Sequence, residues 1–299
     1  MGPRWSCVVA TLGSALLLGV AATSAHAQQF DSGQNVVPVY DGWERNPDGS
    51  FNLVFGYFNR NWVEELDLPA GPDNTIDPGG PDLGQPTHFY PRRSRFIFRV
   101  PVPADFGDSE AVWTLTSKGK TERAYATLLP EYFIDKLVIS ANTGGAGGAG
   151  GGAPEIHENE PPTLEVEGDV TRTVKAGMPL SLAAVAHDDG LPTPRPNIYL
   201  TGNAHRPGPA SATGLRVSWF VYRGEGEVDF SPTQITEWED SRDGANAPMA
   251  RGWTTPPAPR DNRWIVEATF DEPGEYVLRC QAHDGALPVA QDITVTVTE

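Results

Sequence analysis

The chain closes on Phe270-Asp-Glu-Pro-Gly-Glu-Tyr276-Val-Leu278-Arg-Cys280-Gln-Ala282-His-Asp284-Gly285 and, after a short interval, Asp292-Ile-Thr-Val-Thr-Val-Thr-Glu299. Apolar residues fall at Tyr276, Leu278, Cys280 and Ala282, then at Ile293, Val295 and Val297, with threonines between the last three. A period of two places alternate side chains on opposite faces, one buried and one wet. Pro273-Gly274 opens the first strand and Asp284-Gly285 ends it, so the segment reads as a hairpin closing a two-sheet β-sandwich.

The same alternation recurs upstream. Leu180, Leu182, Ala184 and Ala186 form one set, Leu215, Val217, Trp219 and Val221 a second, and Trp264, Val266, Ala268 and Phe270 a third. Clusters of Gly, Pro and Asp separate them, and helical spacing is absent from this half. Residues 162–299 therefore read as about seven short strands.

Particular residues carry a resemblance. Asn159-Glu-Pro-Pro-Thr-Leu164, Val174-Lys-Ala-Gly177 and Asp188-Asp189-Gly190 resemble the opening of the Ig-like modules called polycystic-kidney-disease (PKD) or cadherin-like domains. Val217-Ser-Trp219 is similar to their third strand, and Pro273-Gly274-x-Tyr276-x-Leu278 with Ala282-x-Asp284-Gly285 to their penultimate strand. The resemblance implies extracellular spacing or binding and no activity. Long segments at 191–212 and 224–262 depart from it. A tyrosine at position 276 is expected to bond back to the upstream backbone as a corner, with Leu278 at the position of the antibody-type cysteine. Cys280 has inward parity and reads as a small buried hydrophobe, with no activating His or Lys at useful spacing.

Residues 34–140 also read as β. Segments 39–43 and 50–57 flank the turn Asn46-Pro-Asp-Gly49, 96–100 is a further strand, and 112–116 and 123–128 flank Lys118-Gly-Lys120 as a hairpin. Tyr40-Asp-Gly-Trp43, Asn46-Pro-Asp-Gly-Ser50-Phe51 and Phe55-Gly-Tyr57-x-Asn59-Arg60-Asn61 resemble a group of exported bacterial proteins without assigned function, which supplies no chemistry.

Arg4, an apolar run over 8–20 and Ala25-His26-Ala27 predict a secretory leader over residues 1–27. The run is short for a membrane span. The leader holds one of the two cysteines, leaving Cys280 without an intramolecular disulfide partner. The net charge of −17 argues against nucleic acid and anionic lipid and suits a secreted or periplasmic protein that attracts divalent cations. Gly144-Gly-Ala-Gly-Gly-Ala-Gly-Gly-Gly152 and the acidic stretch after it read as a linker over 141–161.

Candidate chemistry is sparse. Asp188 and Asp284 close two strands at the same rim with inward parity, and with Asp189 they form a candidate Ca²⁺ site of oxygen ligands. The competing reading has each aspartate bonding loop amides. His187 and His283 point outward from opposite faces and are not expected to share a metal. Asp73, Asn74, Asp77 and Asp82 in the 67–86 loop could offer oxygens to a cation, although the loop more simply wraps the surface. Arg92, Arg93 and Arg95 pair with that acidic loop or bind an external anion. Trp43, Trp62, Trp238 and Trp253 are candidate sugar platforms, as is the Tyr57–Trp62 stretch. No nucleophile elbow, phosphate loop or dinucleotide fingerprint is present.

The sequence reading is an all-β, exported protein of two Ig-like β-sandwich domains joined by a Gly-rich linker. It acts by non-catalytic binding or spacing, with a protein or a glycan as partner. Two alternatives stay open: a calcium-stabilised adhesion or carbohydrate-binding protein, and a hydrolase with its site in the N-terminal domain.

Overall fold

The computed structural model describes residues 2, 29–145, 154–197 and 211–299. Most of the expected leader, most of the glycine tract and part of the 191–212 segment lie outside the described residues.

Strands β1 (Val36–Arg45) and β2 (Phe51–Asn59) pair across the expected turn, where Gly49 N–H donates to Asn46 O at 3.0 Å and Ser50 N–H to Asp48 Oδ1 at 3.0 Å. Short strands β3 (Leu66–Asp67), β4 (Asn74–Asp77) and β5 (His88–Phe89) lie in the long acidic loop and around its exit. Then come β6 (Arg92–Val102) and the hairpin β7 (Ala111–Ser117) and β8 (Lys120–Ala126). Sheet β1-β2-β6 packs against sheet β4-β7-β8, and β3 pairs with β5. Phe55 stacks on Phe98 at 5.3 Å, and Trp113 meets both edge-on at the centre of this core. Strand β4 was not expected from its polar sequence. It forms because Asn74 is fully buried, donating to Leu68 O and Pro86 O while its Oδ1 accepts from Trp113 Nε1.

Helix α1 (Lys136–Thr143) is N-capped by Asp135, whose side chain accepts from Leu137 N and Val138 N, and ends at Gly144 with φ of +86°. Helix α2 (Pro154–Glu158) lies beyond the glycine tract. Ile139 and Ile156 bury themselves in a small cluster with Val54, Phe96, Ala286 and Leu287.

The remaining strands are β9 (Thr163–Val166), β10 (Thr171–Lys175), β11 (Leu180–His187), β12 (Arg216–Arg223), β13 (Val228–Ser231), β14 (Arg263–Phe270), β15 (Gly274–His283) and β16 (Pro288–Thr298). They build two facing sheets, β13-β14-β11-β9 and β10-β16-β15-β12. Strand β10 runs parallel to β16, while β9 pairs antiparallel with β11, so the first edge is split between the sheets as in an immunoglobulin-like sandwich. Tyr276, Leu278, Cys280 and Ala282 are all fully buried, as the parity of β15 requires. Tyr276 Oη donates to Glu272 O at 3.0 Å, which is the expected corner. Gly224 fits against its ring at φ +131°, where a Cβ would collide with Tyr276 Cδ1.

The two sandwiches touch along the free edge of β12. Val221 N–H donates to Tyr90 Oη at 2.9 Å, Thr87 N–H to Tyr222 O at 3.2 Å, and Gly224 N–H to Thr87 Oγ1 at 3.2 Å. Arg223 forks onto Asp82 at 2.7 and 2.9 Å, and Tyr222 packs into the core around Trp113. An edge strand presents unpaired backbone groups, and here the other half of the chain covers them.

Candidate ligand-binding cleft

The rim aspartates mainly serve their loops. Asp284 is fully buried; its Oδ1 accepts from Ala286 N and Leu287 N at 2.6 and 2.7 Å, and its Oδ2 from Asn159 Nδ2 at 3.1 Å. Asp188 Oδ2 accepts from Gly190 N at 2.9 Å. Asp189 is exposed, and its two oxygens accept from Leu191 N at 2.8 Å and Glu160 N at 3.1 Å. Burial pushes the Asp284 carboxyl up to about 6, against the pull of its amide donors, and the charge of Asp188 adds to the rise. Two buried oxygens, Asp188 Oδ1 and Asn159 Oδ1, have no partner among the described residues. Among those residues, no group of three His, Cys, Asp or Glu side chains is disposed to hold a metal ion.

The two His-Asp repeats separate as expected. His187, on β11, is exposed and meets Asn262 at 3.0 Å, whereas His283 lies in the other sheet. His283 is nevertheless buried, because α1 and the segment after β13 cover the outer face of β15.

The arginines following the 67–86 loop pair internally, but not with that loop. Arg93 pairs with Asp41, Arg95 Nε lies 2.7 Å from Glu239 Oε1, and Arg92 sits over the Trp62 ring at 4.0 Å. Asp82, one of the loop's four aspartates, pairs with Arg223, and Asn74 is buried, engaged by Leu68 O, Pro86 O and Trp113 Nε1. The pairing of Arg93 depends on two facing irregularities. Asp41 is the extra residue in β1 between Tyr40 and Gly42, and Arg95, Phe96 and Ile97 stand opposite Gly56 alone. Asp41 Oδ2 accepts from Phe96 N at 2.7 Å and holds Phe96 at a φ of +54°, which is unusual for a side chain of that size. A Cβ at Gly56 would overlap Ser94 O, Asp41 and Arg93. Bulges re-aim side chains, and this one turns Arg95 toward Glu239 of the other half.

A cleft opens where the halves meet. Its central wall is Tyr90 stacked on Trp238, with centroids 4.3 Å apart and planes at 13°, and Phe220 edge-on to Tyr90 at 6.1 Å. Tyr90, Phe220 and Trp238 border recesses on both sides.

One recess is lined by Arg95, Arg216, Gln281 and His283. Arg216 and Glu237 are both buried and joined at 3.0 Å, with Ser218 Oγ donating to the same carboxylate at 3.2 Å. His283 Nδ1 accepts from Gly285 N–H at 2.8 Å, so the ring proton resides on Nε2. Burial, and then the Arg216 charge, hold His283 well below the usual imidazole range and keep it neutral.

The other recess is lined by Glu65, Asp67, His88 and Asp229. His88 Nδ1 lies 2.7 Å from Asp67 and Nε2 lies 2.9 Å from Glu65. Burial alone would lower His88, but the two carboxylates outweigh it and raise it to about 9.

Of the tryptophans expected as platforms, Trp238 faces the cleft. Trp43 is buried with Nε1 donating to Leu129 O at 2.8 Å, and Trp62 lies under Arg92 and Arg242. Of the polar groups in the Tyr57–Trp62 stretch, Arg60 alone is exposed: Tyr57, Asn59 and Asn61 are buried, and the two amides organise the turn after β2. The cleft itself was missed. Its one sequence signal was the non-periodic 224–262 segment containing Trp238.

No protein-family model matches the chain, and no curated protein matches it. Solved structures overlap it only loosely. The S-layer protein rSbsC(31-844) is 12% identical over 89% of this chain, at a TM-score of 0.23, and the chain spans 28% of that structure. A chimeric titin Z1Z2 is 12% identical over 89% of this chain and 99% of its own, at 0.24. The Yersinia pseudotuberculosis adhesin InvE is 13% identical over 88% of this chain and 59% of its own, also at 0.24. Such scores establish neither a shared fold nor a shared function.

Proposed function

We propose that this chain is an exported, non-catalytic binding protein of the cell envelope or extracellular space, secreted or periplasmic. Its domains, residues 34–140 and the PKD- or cadherin-like 162–299, are joined through 141–161 and hold a ligand between them. The observation that carries this reading is the Tyr90–Trp238 stack, one ring from each half, at the wall of a cleft with polar groups on both sides. Binding sites favour such junctions. The local chemistry suits binding: the Cys280 thiol is buried in the core and pushed far up, and His88 is engaged by two carboxylates. The leader expected over residues 1–27 from the sequence supports export, and no described helix is long and apolar enough to cross a membrane. The test compares the full mature chain with its Trp238→Ala variant on combined glycan and peptide arrays. Signals present in the first and lost in the second support the cleft; signals equal in both contradict it.

A second reading concerns calcium. Asp188, Asp189 and Asp284, which are not disposed as a preformed three-carboxylate site, would supply oxygens to a Ca²⁺ ion by rearranging around it, with Asn159 Oδ1 as an added ligand. The favouring observation is the two buried, unpartnered oxygens, Asp188 Oδ1 and Asn159 Oδ1, beside mutually repelling carboxylates. Millimolar Ca²⁺ should raise the Tm of the wild type and leave Asp284→Asn unmoved; no shift in the wild type removes the site.

A further inference from the structure

We propose that the recess beside His283 takes a neutral sugar residue of a glycan, an inference that rests on the cleft reading above. Three arginines border this recess, and each is already matched: Arg93 by Asp41, Arg95 by Glu239, Arg216 by Glu237. With His283 uncharged, the walls are polar yet balanced in charge. An anionic ligand would enter beside Glu237 and Glu239, and a cationic one beside Arg95 and Arg216. Either would lose its hydration without a free counter-charge to replace it.

A purely apolar ligand fits no better. His283 is 6% exposed, its Nδ1 is committed to Gly285, and its Nε2 has no hydrogen-bond partner among the described residues. The Gln281 amide, half-buried at the same wall, likewise has none among them. Asn142 donates through Nδ2 to Val138 O at 2.9 Å, which leaves its Oδ1 to accept. Covering such groups with hydrocarbon would strand them, at a cost of about 1–3 kcal/mol each.

A hydroxyl answers both demands. It accepts from His283 Nε2–H and donates to Asn142 Oδ1 or Gln281 Oε1. Phe220, Trp238 and Met249 offer apolar surface for the C–H face of a pyranose ring. Uncharged sugars combine these features without a net charge.

The test uses the full mature chain on an array of neutral, uronate-containing and amine-bearing glycans, with calorimetry on the strongest binder. Neutral glycans should bind, and their charged counterparts should bind at least tenfold more weakly. Gln281→Ala, which removes no protein hydrogen bond among the described residues, should weaken binding about tenfold with an unchanged melting curve, and His283→Ala more strongly. Preference for uronates or amines, absence of any neutral-glycan binding, or full affinity in Gln281→Ala would overturn the assignment. Peptide binding that is lost in Trp238→Ala would also reject the sugar while leaving the cleft standing. If no ligand is sensitive to Trp238→Ala, both readings fail.

Discussion

Tyr90 and Val221 join the two sandwiches: the Val221 N–H of an edge strand ends on the Tyr90 hydroxyl, 2.9 Å away. Tyr90 therefore supports the cleft twice, through its hydroxyl on the backbone of β12 and through its ring stacked on Trp238. Tyr90→Phe keeps the stack and strands the N–H. Its expected cost is about 1–3 kcal/mol in urea unfolding. No loss of stability would mean the sandwiches do not meet along β12.

His88 makes stability fall toward alkaline pH. Its folded pKa of about 9 stands above the ordinary 6.5. The contribution is therefore full below pH 6.5 and disappears as pH rises through 9. Exposure of Glu65 screens the effect, leaving on the order of 2 kcal/mol. Urea midpoints between pH 6 and 9.5 should fall for the wild type and stay flatter for His88→Gln.

Asp284 acts in a lower window. A carboxyl raised from 3.8 to about 6 favours folding while protonated, and that contribution fades as pH rises through 6. The effect approaches about 3 kcal/mol at pH 7. Without added calcium, Asp284→Asn keeps an acceptor for the Ala286 and Leu287 amides, so it should lose this pH dependence and melt higher at pH 7 than the wild type. A lower melting point at pH 7 would contradict this.

The corner has its own test. Tyr276→Phe should cost about 1–2 kcal/mol through the lost bond to Glu272. Gly224→Ala should cost more, since it combines a positive φ with a collision against the Tyr276 ring. Equal effects would mean the ring can shift to accept a methyl group.

The β15 strand was legible because its four inward residues alternate without interruption, and the Asn46–Gly49 turn because each residue suits its position. Asp188 and Asp284 were placed at one rim by strand direction and parity, which the sequence carries directly. The same parity sent His283 outward, which is correct, yet outward did not mean exposed. The covering segments come from elsewhere in the chain and leave no periodic trace. The Asp41–Arg93 pair was hidden because a bulged residue breaks the period of two and reads as a surface charge. Tyr90 and Trp238 meet across the two halves, beyond the reach of any local pattern.

The central claim, a ligand held between the two halves, is tested most directly by hydrogen–deuterium exchange of the full mature chain with and without its strongest array binder. The expected result is added protection both at residues 93–97 and at 237–249, one wall from each half. Protection confined to one half, or centred on 188–190, would contradict it.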